Sequence, residues 1–432
     1  MIRARVLVLA AVFFTGAAAA RISQTDLESA AGRLEPQVIE QRRDFHQHPE
    51  LGNSEFRTAE VVAKRLRALN MEVKTGIAVT GVAGLLRGAL PGPTVALRAD
   101  MDALPVTEQV NLPFKSTVKA QFRGETVGVM HACGHDGHVA ILLGVAEALA
   151  GMRDKLHGQV LFIFQPAEEG APAGETGGAS RMLAEGLFDI AKPQAVFGLH
   201  LMASLPTGVI GYRSGPMMAG SDLFRILVAG RQTHGSRPWA GVDPLIASAQ
   251  IMLGMQTIVS RQLDITQTPS VISVGSVKGG IRSNIIPDTV EMVGTIRTFD
   301  PQVRQDVFRR METTVTHIAS SSGATAELTF GDTPNPPVIN DPTLTQSSVP
   351  ALARLLGKDN VQTISPQTAS EDFSYYGQKI PSFFFWVGIT PPDRDAATAP
   401  FNHSPMFYLD EASLAVGMRA MLAVAIDYLQ GP

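Results

Sequence analysis

The sequence predicts an α/β protein: a larger domain with a central β-sheet flanked by helices, and a smaller α+β domain of ferredoxin-like order inserted into it. Short apolar runs of strand length alternate with amphipathic helical stretches in the first half of the chain, which is typical of a sheet covered on both faces. Two Gly- and Pro-rich segments, 211–220 and 331–337, separate a middle region from the rest. The 432 residues exceed what one hydrophobic core usually supports, so two domains are expected.

Residues 1–20 are typical of a secretory signal peptide. A basic start at 1–5 precedes an apolar run at 6–14, and the small residues that follow, up to Ala20, fit an A-x-A cleavage site. The apolar run is shorter than the roughly 20 residues that a membrane-spanning helix needs. We therefore expect cleavage after Ala20 and an exported protein, periplasmic or secreted, with no stable membrane span.

The composition excludes some partners and limits what the single cysteine can do. The net charge of −4 offers no basic surface for a nucleic acid. Hydrophobic residues make up 45% of the chain, which is enough for large cores. Cys133 is the only cysteine, so an internal disulfide is excluded. In an exported protein a free thiol is a liability unless it is buried or bound to a metal, so we expect one of these.

Apolar residues at helical spacing predict the helices of the first part of the chain. Region 24–43 has this spacing but contains Pro36, so we expect a short first helix and a second one that begins near Pro36. Pro49 ends the second helix, because the residue before a proline avoids the α region. Region 58–69 is a further amphipathic helix. Region 137–149 is apolar on nearly all sides, which suits a helix inside the core.

Three apolar runs have the length of buried strands: 94–99, 159–164 and 195–199. Each is followed closely by polar residues. Asp100 follows the first run, Glu168 and Glu169 come shortly after the second, and His200 follows the third. The carboxyl ends of parallel strands meet at one edge of a sheet, where α/β proteins usually bind ligands. We therefore expect these side chains to lie near one another.

The middle region has the order of a ferredoxin-like domain. Its predicted elements are a strand at 222–228, a helix at 243–260, strands at 270–277 and 289–298, a helix at 301–319 and a strand at 325–330. After residue 338 the chain returns to α/β character, with a strand at 382–387 and a closing helix at 411–428. The predicted domains are 21–214 together with 333–432, and the insert 215–332.

The stretch from His131 to His138, with the sequence His-Ala-Cys-Gly-His-Asp-Gly-His, is the strongest candidate for chemistry. It contains the only cysteine and three of the ten histidines within eight positions. Its glycines allow a tight turn, so Cys133 and His135 can face one point and act as a pair of metal ligands. The structural alternative is a Gly-rich loop with a buried thiol and capping histidines.

Other candidates each have an ordinary structural explanation when taken alone. Adjacent Glu168 and Glu169 repel each other, and the pair can supply both a metal ligand and a base for water, or be two solvated loop acids. His200 can be a satisfied core histidine, and His403 a surface one. His234 can belong to an ordinary loop, and the segment Ser370-Glu-Asp-Phe can begin a helix.

The order of these motifs along the chain is more specific than any one of them. Arg98-Ala-Asp-Met-Asp-Ala-Leu-Pro comes first, and His131 to His138, Gln165-Pro-Ala-Glu-Glu-Gly and Gly198-Leu-His follow; Ser370-Glu-Asp-Phe and Asn402-His come after the insert. In this combination the chain resembles the M20 metallopeptidase/amidohydrolase family, and within it the branch of N-acyl-amino-acid amidohydrolases that includes hippurate hydrolases and auxin-conjugate hydrolases. The resemblance extends from about residue 42 to the C-terminus.

The resemblance implies a binuclear metal site. Two divalent ions per subunit, of Zn, Mn, Co or Ni, would be held by residues at matching positions: Cys133, His135, Glu169, His200 and His403. Glu168 matches the general base of the family, which takes a proton from water and passes one to the leaving amine. Asp100 and Asp136 are expected to orient the ligands from behind.

The resemblance also assigns a role to the insert, which matches the family's lid and dimerisation domain. His234 matches a lid histidine that reaches the site of a neighbouring subunit. Asn284 and Arg297 match lid positions that bind the substrate carboxylate, for which a forked guanidinium is well suited. A homodimer through the lid and a small substrate, an N-acyl amino acid or short peptide, are therefore expected.

Three functions remain as alternatives at the level of the sequence. The first is a metal-dependent amidohydrolase that releases an amino acid from its N-acyl group. The second is a carboxypeptidase or dipeptidase that uses the same metal chemistry with different pocket walls. The third is a catalytically silent binding protein, which Glu168 argues against, because such a protein has no need of a base beside its metal ligands.

Overall fold

The computed structural model describes residues 21–331 and 334–431. The predicted signal peptide, residues 1–20, lies outside the described residues, as do 332–333 and Pro432. The α-helices are α1 (Gln24–Gln47), α2 (Phe56–Ala68), α3 (His135–Ala150), α4 (Gly178–Ala184), α5 (Pro244–Thr257), α6 (Pro301–Ser321), α7 (Pro342–Leu356), α8 (Ser374–Gly377) and α9 (Ala412–Gln430). The helices predicted at 58–69, 137–149 and 411–428 are present as α2, α3 and α9.

The larger domain is built on an eight-stranded mixed β-sheet with the order β1-β2-β6-β3-β7-β18-β8-β17. The β-strands of the chain are β1 (Glu72–Ile77), β2 (Gly81–Arg87), β3 (Leu90–Asp100), β4 (Lys119–Phe122), β5 (Glu125–Gly128), β6 (His157–Gln165), β7 (Ala195–Pro206), β8 (Ile210–Tyr212), β9 (Gly215–Met218), β10 (Gly220–Ala229), β11 (Thr233–His234), β12 (Ser270–Gly279), β13 (Ile285–Ile286), β14 (Thr289–Thr298), β15 (Thr325–Phe330), β16 (Val338–Asn340), β17 (Val361–Thr363) and β18 (Ser382–Thr390). The four central strands β6, β3, β7 and β18 run parallel to one another.

The central strands are buried on both sides, which explains their continuous apolar sequences. On one face α1, α3 and α9 pack together over the sheet and form the main hydrophobic core. Nearly every residue of α3 is buried, as its all-round apolar character predicted. The opposite face packs against α4, α8 and the short strands β9 and β16.

Helix α1 is one continuous helix, so the prediction of two helices divided at Pro36 is wrong. Its N-terminus is fixed by a capping box between Ser23 and Asp26. Pro36 lacks an N–H, so the carbonyl of Gly32, four positions earlier, loses its helical hydrogen-bond donor. Both halves of α1 bury apolar side chains in the same core, among them Ala31 and Val38, and this tertiary packing holds the helix together across the proline.

The inserted domain has the predicted ferredoxin-like order. Its antiparallel sheet, β12-β14-β10-β15, is covered by α5 and α6, and the two helices and four strands fall where the sequence placed them. The segment 211–220, predicted as a linker, instead contains β8, which joins the central sheet, and β9, which pairs with β16. The chain therefore enters and leaves the insert through a paired two-stranded ribbon.

One helix in the described residues is long and apolar enough to cross a membrane, α9. Most of its apolar window, 78%, is buried inside the protein. Because α9 packs against α1, α3 and α7, its apolar surface is accounted for by the core.

Candidate metal centre

The start of α3 brings two candidate ligands to the carboxyl edge of the central sheet. Gly134 has a φ of +91°, a left-handed conformation that suits glycine, and it separates Cys133 from the first helical residue, His135. Gly137 is needed for close packing, because an added Cβ would lie 2.4 Å from Leu201 Cδ1. The predicted tight turn is thus present at Gly134, and the missing side chain of Gly137 lets α3 approach β7.

The five side chains predicted as ligands converge at this edge. Cys133 Sγ lies 3.4 Å from His200 Nε2 and 3.3 Å from His403 Nε2. His403 Nε2 also lies 2.9 Å from Glu169 Oε1. The ligand atoms of Cys133, His135 and His200 all lie within 4.8 Å of one another, and so do those of Cys133, Glu169 and His403. The two groups of three therefore adjoin at the sulfur of Cys133.

The donor atoms at this centre fit divalent metal ions. His135 Nε2 is buried and has no hydrogen-bond partner among the described residues. A buried polar atom without a partner is costly, and a bound cation would satisfy His135 Nε2. Sulfur, imidazole nitrogen and carboxylate oxygen together form a donor set that borderline ions such as Zn²⁺ accept.

Backbone carbonyls set the orientation of two of the imidazoles. His135 Nδ1 donates a hydrogen bond to the carbonyl of Asp102 at 2.8 Å, and His200 Nδ1 donates to the carbonyl of Leu201 at 2.9 Å. Because a carbonyl oxygen only accepts, each ring carries its proton on Nδ1 and presents the lone pair of Nε2. This is the arrangement that a metal-ligating histidine requires.

His138 is close to the centre but has both ring nitrogens occupied. Its Nε2 accepts the backbone N–H of Leu201 at 2.8 Å, so its Nδ1 donates to Asp100 Oδ1 at 2.5 Å. A histidine with no free lone pair is unavailable to a metal. His138 therefore ties β7 to the end of β3 instead of serving as a ligand.

The pKa shifts of the candidate ligands follow from their burial and from their contacts with one another. Hydrogen bonds to Cys133 and Glu169 raise the pKa of His403 to about 10. Burial raises the pKa of the Cys133 thiol, and the neighbouring charge of Glu169 adds to this. Burial would also raise the pKa of Glu169, but the hydrogen bond from His403 and the charge of His135 outweigh it and lower the pKa. The site thus favours a positive charge at the position where the ligand atoms meet.

Glu168 lies beside the ligands in an acidic environment. One of its carboxylate oxygens is within 4.8 Å of ligand atoms of both His135 and Glu169. The backbone N–H of Asp372 lies 3.4 Å from Glu168 Oε1. Burial raises the pKa of Glu168 well above its usual value, and the charges of Glu371, Glu169 and Asp372 raise it further. A carboxylate with a raised pKa beside metal ligands is a candidate for proton transfer.

The acids next to Glu168 are held by a buried arginine that the sequence reasoning missed. Arg98 is fully buried and donates to Asp100 at 2.6 Å, Gln165 at 2.9 Å, Glu371 at 2.9 Å and Asp372 at 3.0 Å. The charges of these carboxylates raise the pKa of Arg98 even though its burial opposes this. One cation therefore compensates the acids that lie under the site.

The sequence held a partial signal for these residues. The alternation of side chains along a strand places Arg98 and Asp100 on one side of β3, and Asp102 continues this pattern beyond the end of the strand. Asp102 Oδ2 accepts the backbone N–H of Glu169 at 2.9 Å. The segment from Ser370 was considered as a helix start, but no side chain caps α8.

The two aspartates expected to orient the ligands differ in position. Asp100 Oδ2 lies 3.7 Å from His135 Nε2, so Asp100 is next to the ligand set. Asp136 Oδ2 instead accepts from Arg42 Nε at 2.8 Å and lies 2.8 Å from His46 Nδ1. Among the described residues, Asp136 has no hydrogen bond or ion pair with any of the five candidate ligands, so it braces α1 against α3.

The three candidate residues of the insert are divided between two places. Arg297 lines the cavity beside the metal centre, and its Nε donates to the carbonyl of Thr368 at 3.1 Å. His234, in β11, and Asn284, in the turn before β13, are both exposed, and Gly235 N–H donates to the Asn284 carbonyl at 2.8 Å. Neither lines the cavity, so the reach of His234 into a neighbouring subunit and the binding of the substrate carboxylate by Asn284 stay predictions.

The cavity next to the metal centre has a volume of about 460 Å³. Cys133, Glu168, Glu169, His200 and His403 lie along its floor. Its other walls combine apolar side chains, namely Met202, Met218, Trp386 and Phe401, with polar ones, namely Arg297, Asn335, Gln367 and Asn402. A set of candidate metal ligands, a further carboxylate and a cation in one cavity are the features of a metal-dependent hydrolase for small substrates.

Comparison with known proteins agrees with this class. The model of peptidase family M20/M25/M40 matches residues 96–427. Thermostable carboxypeptidase 1 of Saccharolobus solfataricus is 41% identical, over 93% of this chain and 98% of its own length. The N-acetylcysteine deacetylase of Bacillus subtilis is 38% identical, over 91% and 97%. A solved structure of a dinuclear metal binding M20 peptidase from Bacillus subtilis superposes with a TM-score of 0.76 at 36% identity, over 92% and 99% of the two chains.

The chain therefore belongs to peptidase family M20/M25/M40. It is a hydrolase that acts on C–N bonds, as the family resemblance of the motifs predicted. The predicted fold class is also confirmed by these matches.

Proposed function

We propose that the chain is a binuclear metal-dependent amidohydrolase that cleaves the amide bond of N-acyl amino acids. The observation that carries the proposal is the convergence of Cys133, His135, Glu169, His200 and His403 beside Glu168 in one cavity. The similarity to an N-acetylcysteine deacetylase supports an acyl amino acid as the substrate.

Two divalent ions, of Zn, Mn, Co or Ni, are proposed as the cofactor. Ions held by these five ligands would polarise the scissile carbonyl, stabilise the developing oxyanion and lower the pKa of water. The two groups of three ligand atoms that share Cys133 support two adjoining ion positions.

Glu168 is proposed as the general base. It takes a proton from the attacking water, and its raised pKa lets it keep the proton until the tetrahedral intermediate forms. It then gives the proton to the nitrogen of the departing amino acid. Its position next to His135 and Glu169 puts the carboxylate on the side of the cavity where water would be activated.

Arg297 is proposed to bind the carboxylate of the amino-acid part. Its guanidinium is half-buried and faces the cavity from the insert, where a charge-assisted hydrogen bond to a carboxylate is strong. The apolar walls at Met202, Met218, Trp386 and Phe401 suit a hydrophobic acyl group or side chain. His234 and Asn284 of a neighbouring subunit would complete the site when the lid closes.

A carboxypeptidase or dipeptidase with the same mechanism is the alternative, which the similarity to a carboxypeptidase favours. A substrate panel separates the two. Metal-reconstituted protein beginning at residue 21 is incubated with benzoyl-, acetyl-, fatty-acyl- and indoleacetyl-amino acids and with dipeptides, beside a chelated control. We expect chelator-sensitive release of amino acid from acyl amino acids. Preference for dipeptides would establish the peptidase, and no turnover with two ions bound would point to a silent binding protein.

The role of Glu168 is tested by Glu168→Gln. The amide keeps the shape of the side chain but takes up no proton, so turnover is expected to fall by about 10²–10⁴-fold while metal stoichiometry and substrate binding persist. Metal content by mass spectrometry and substrate binding by calorimetry are measured beside kcat. A kcat of Glu168→Gln within tenfold of that of the unsubstituted protein would contradict this mechanism.

We also propose that the insert joins two chains into a homodimer. Strand β12 forms one edge of the insert's sheet and exposes Val271 and Val277. The outer face of α5 exposes Ile246 and Leu253, which is 72% exposed. Exposed apolar side chains beside an open sheet edge favour pairing with a second copy. Leu253→Glu is expected to yield a monomer in sedimentation, whereas Phe56→Glu, at an exposed apolar position outside the insert, is expected to leave the dimer intact.

Export is proposed from residues 1–20. Expression of the full chain in a bacterium with a periplasm is expected to yield a protein that begins at Arg21, recovered by osmotic shock. Intact-mass analysis measures the N-terminus. Retention of Met1 on a protein found only in the cytoplasmic fraction would refute this.

A further inference from the structure

The backbone that carries Glu168 and Glu169 has an unusual conformation just before them. Ala167 has a φ of +51°, in the left-handed region that alanine rarely occupies. This residue separates the end of β6 from the two glutamates, so its conformation sets the direction in which they leave the sheet. A conformation that alanine disfavours persists only if surrounding contacts hold it.

A fully buried carboxyl group makes the contact that holds Ala167. Glu55, at the start of α2, accepts the backbone N–H of Ala167 on Oε1 at 2.8 Å. Its Oε2 lies 2.5 Å from Thr80 Oγ1, so both oxygens are engaged. The backbone N–H of Glu169, two residues after Ala167, donates to Asp102 Oδ2 at 2.9 Å. The loop is thus fixed on both sides of Glu168 by carboxyl groups behind the site.

The second contact of Glu55 also reaches a strained turn. Thr80 follows Ala78 and Val79, whose φ values are +51° and +81°. A positive φ at a β-branched valine is a genuine outlier. Glu55 therefore ties together two segments of disfavoured backbone, the turn before β2 and the loop after β6. Such strain clusters where a site must be held in one geometry.

Glu55 is in an environment that favours its neutral form. Burial raises its pKa to about 8, and the neighbouring charge of Asp102 contributes. A glutamine would therefore reproduce its charge at pH 7. It would also keep an oxygen for Ala167 and an N–H group for Thr80.

We propose that Glu55 is a positioning residue: it fixes Ala167 in the left-handed conformation that aims Glu169 at the metal ligands and Glu168 at the reacting water. This inference rests on the proposed function of these two glutamates. Glu55 itself contacts neither of their carboxylates among the contacts that the structure describes, so it acts through the backbone.

The first experiment measures Zn²⁺ binding by calorimetry in Glu55→Leu and Glu55→Gln at pH 7, with kcat and KM on the best substrate of the panel. Leucine removes both acceptors, so the Kd for Zn²⁺ is expected to rise and kcat to fall by roughly 10- to 100-fold each. KM is expected to change little. Glu55→Gln is expected to stay within about threefold of the unsubstituted protein, because it preserves the contacts.

The second experiment tests the backbone directly. Ala167→Gly in the Glu55→Leu background is expected to recover roughly 5- to 30-fold of the loss, since glycine adopts the left-handed conformation without the cost that alanine bears. Ala171→Gly, in the same loop but at a residue without a positive φ, is the matched control and is expected to recover nothing. Ala167→Gly alone is expected to behave as the unsubstituted protein.

The inference is overturned if Glu55→Leu binds Zn²⁺ normally, or if Ala167→Gly recovers no more than Ala171→Gly. If Glu55→Leu does not fold, the same comparison is made in Thr80→Val, which removes only the hydroxyl group that holds Oε2. In Thr80→Val, a smaller loss of Zn²⁺ affinity and kcat that Ala167→Gly reverses supports the inference. No loss in Thr80→Val overturns it. Because Zn²⁺ binding needs no substrate, a failure to cleave any member of the panel refutes the proposed function and leaves this test intact.

Discussion

Replacing Arg98 with methionine is expected to destabilise the protein more strongly at pH 8 than at pH 5. Arg98 is fully buried and is the cation shared by Asp100, Glu371 and Asp372. Methionine is similar in length and uncharged, so the substitution leaves three buried carboxyl groups without their cation. The loss of one partner from a buried ion pair costs about 3–5 kcal/mol.

This free energy can be converted into a shift of the thermal midpoint. With an unfolding entropy of about 2.1 cal/mol/K per residue, the roughly 410 described residues unfold with about 0.86 kcal/mol/K, so the midpoint falls by about 3.5–6 °C. Measurement in excess chelator is essential, because bound metal would add its own stabilisation by mass action. Circular dichroism at a fixed scan rate gives the midpoint.

The pH dependence follows from the direction of the pKa changes. The Arg98 charge lowers the pKa values of Asp100 and Asp372, so both rise in the folded protein without the guanidinium, and that of Asp372 is already raised to about 7 by burial. A raised folded pKa gives stability that is complete below the unfolded value of about 4 and is lost as the pH rises through the folded pKa. The deficit of Arg98→Met is therefore expected to grow between pH 5 and pH 8.

Two controls make this result interpretable. Arg98→Lys keeps the charge, but an ammonium group lacks the forked donors that reach all the partners of Arg98. Its thermal midpoint is therefore expected to lie between those of the unsubstituted protein and Arg98→Met. Arg87→Met removes an exposed arginine paired with Glu72 and is expected to shift the midpoint by less than about 1 °C. A midpoint for Arg98→Met within 1 °C of the unsubstituted protein, or equal deficits at both pH values, would refute the reasoning.

Three further predictions concern the helix, the cavity and the metal. Pro36→Ala restores a backbone hydrogen bond inside α1 and is expected to stabilise the protein by about 1–3 kcal/mol; an unchanged thermal midpoint would contradict this. Arg297→Ala is expected to raise KM for acyl amino acids by about 10- to 100-fold with a smaller effect on kcat, and to leave the corresponding acyl amino amides unaffected. Equal effects on both substrates would exclude a carboxylate contact. Chelation is expected to lower the thermal midpoint, and readdition of Zn²⁺ is expected to restore it. Zn²⁺ at 1,000 times its Kd adds about 4 kcal/mol to the free energy of unfolding. A thermal midpoint that does not respond to the chelator would argue against metal at this centre.

The sequence predicted the order of elements well, because hydrophobic periodicity depends on local spacing. The buried central strands are continuous apolar runs, and the insert shows its helices and strands in alternation. Strand β7 is an instructive exception, since it was predicted to end before His200. Its pairing with β3 does end at Gly198, but the strand continues along β18 to Pro206. Pairing partners, which the local sequence does not specify, decide where a strand ends.

Pro36 shows the same limit for helices. The proline predicts an interruption from local rules alone, and the structure has none because both sides of α1 bury apolar residues in one core. The energy that overrides the local preference comes from residues distant in the sequence. Periodicity around Pro36 was therefore informative, and the proline itself was misleading.

The part of the candidate site that lies in sequence motifs could be predicted from the sequence. The five ligand candidates stand in motifs whose order resembles a known family, and the structure brings them together. The contacts behind the site had no comparable signal. Arg98 pairs with Glu371 across 273 positions, and Glu55 reaches Ala167 across 112. Such pairs depend on the complete fold, and a single sequence does not reveal them.

The spread of the ligands along the chain has a consequence for the order of events during synthesis. Cys133 and His135 emerge from the ribosome well before His403, which follows Cys133 by 270 positions. In the folded protein the backbone N–H of His403 donates to the carbonyl of Ala132 at 2.8 Å. Helix α9 follows it and packs against α1 and α3, which were made first. A nascent chain therefore contains the thiol of Cys133 before it contains His403, the last of the five candidate ligands. The complete set of five ligands therefore exists only after synthesis has passed His403, so the chain is made without the complete metal centre.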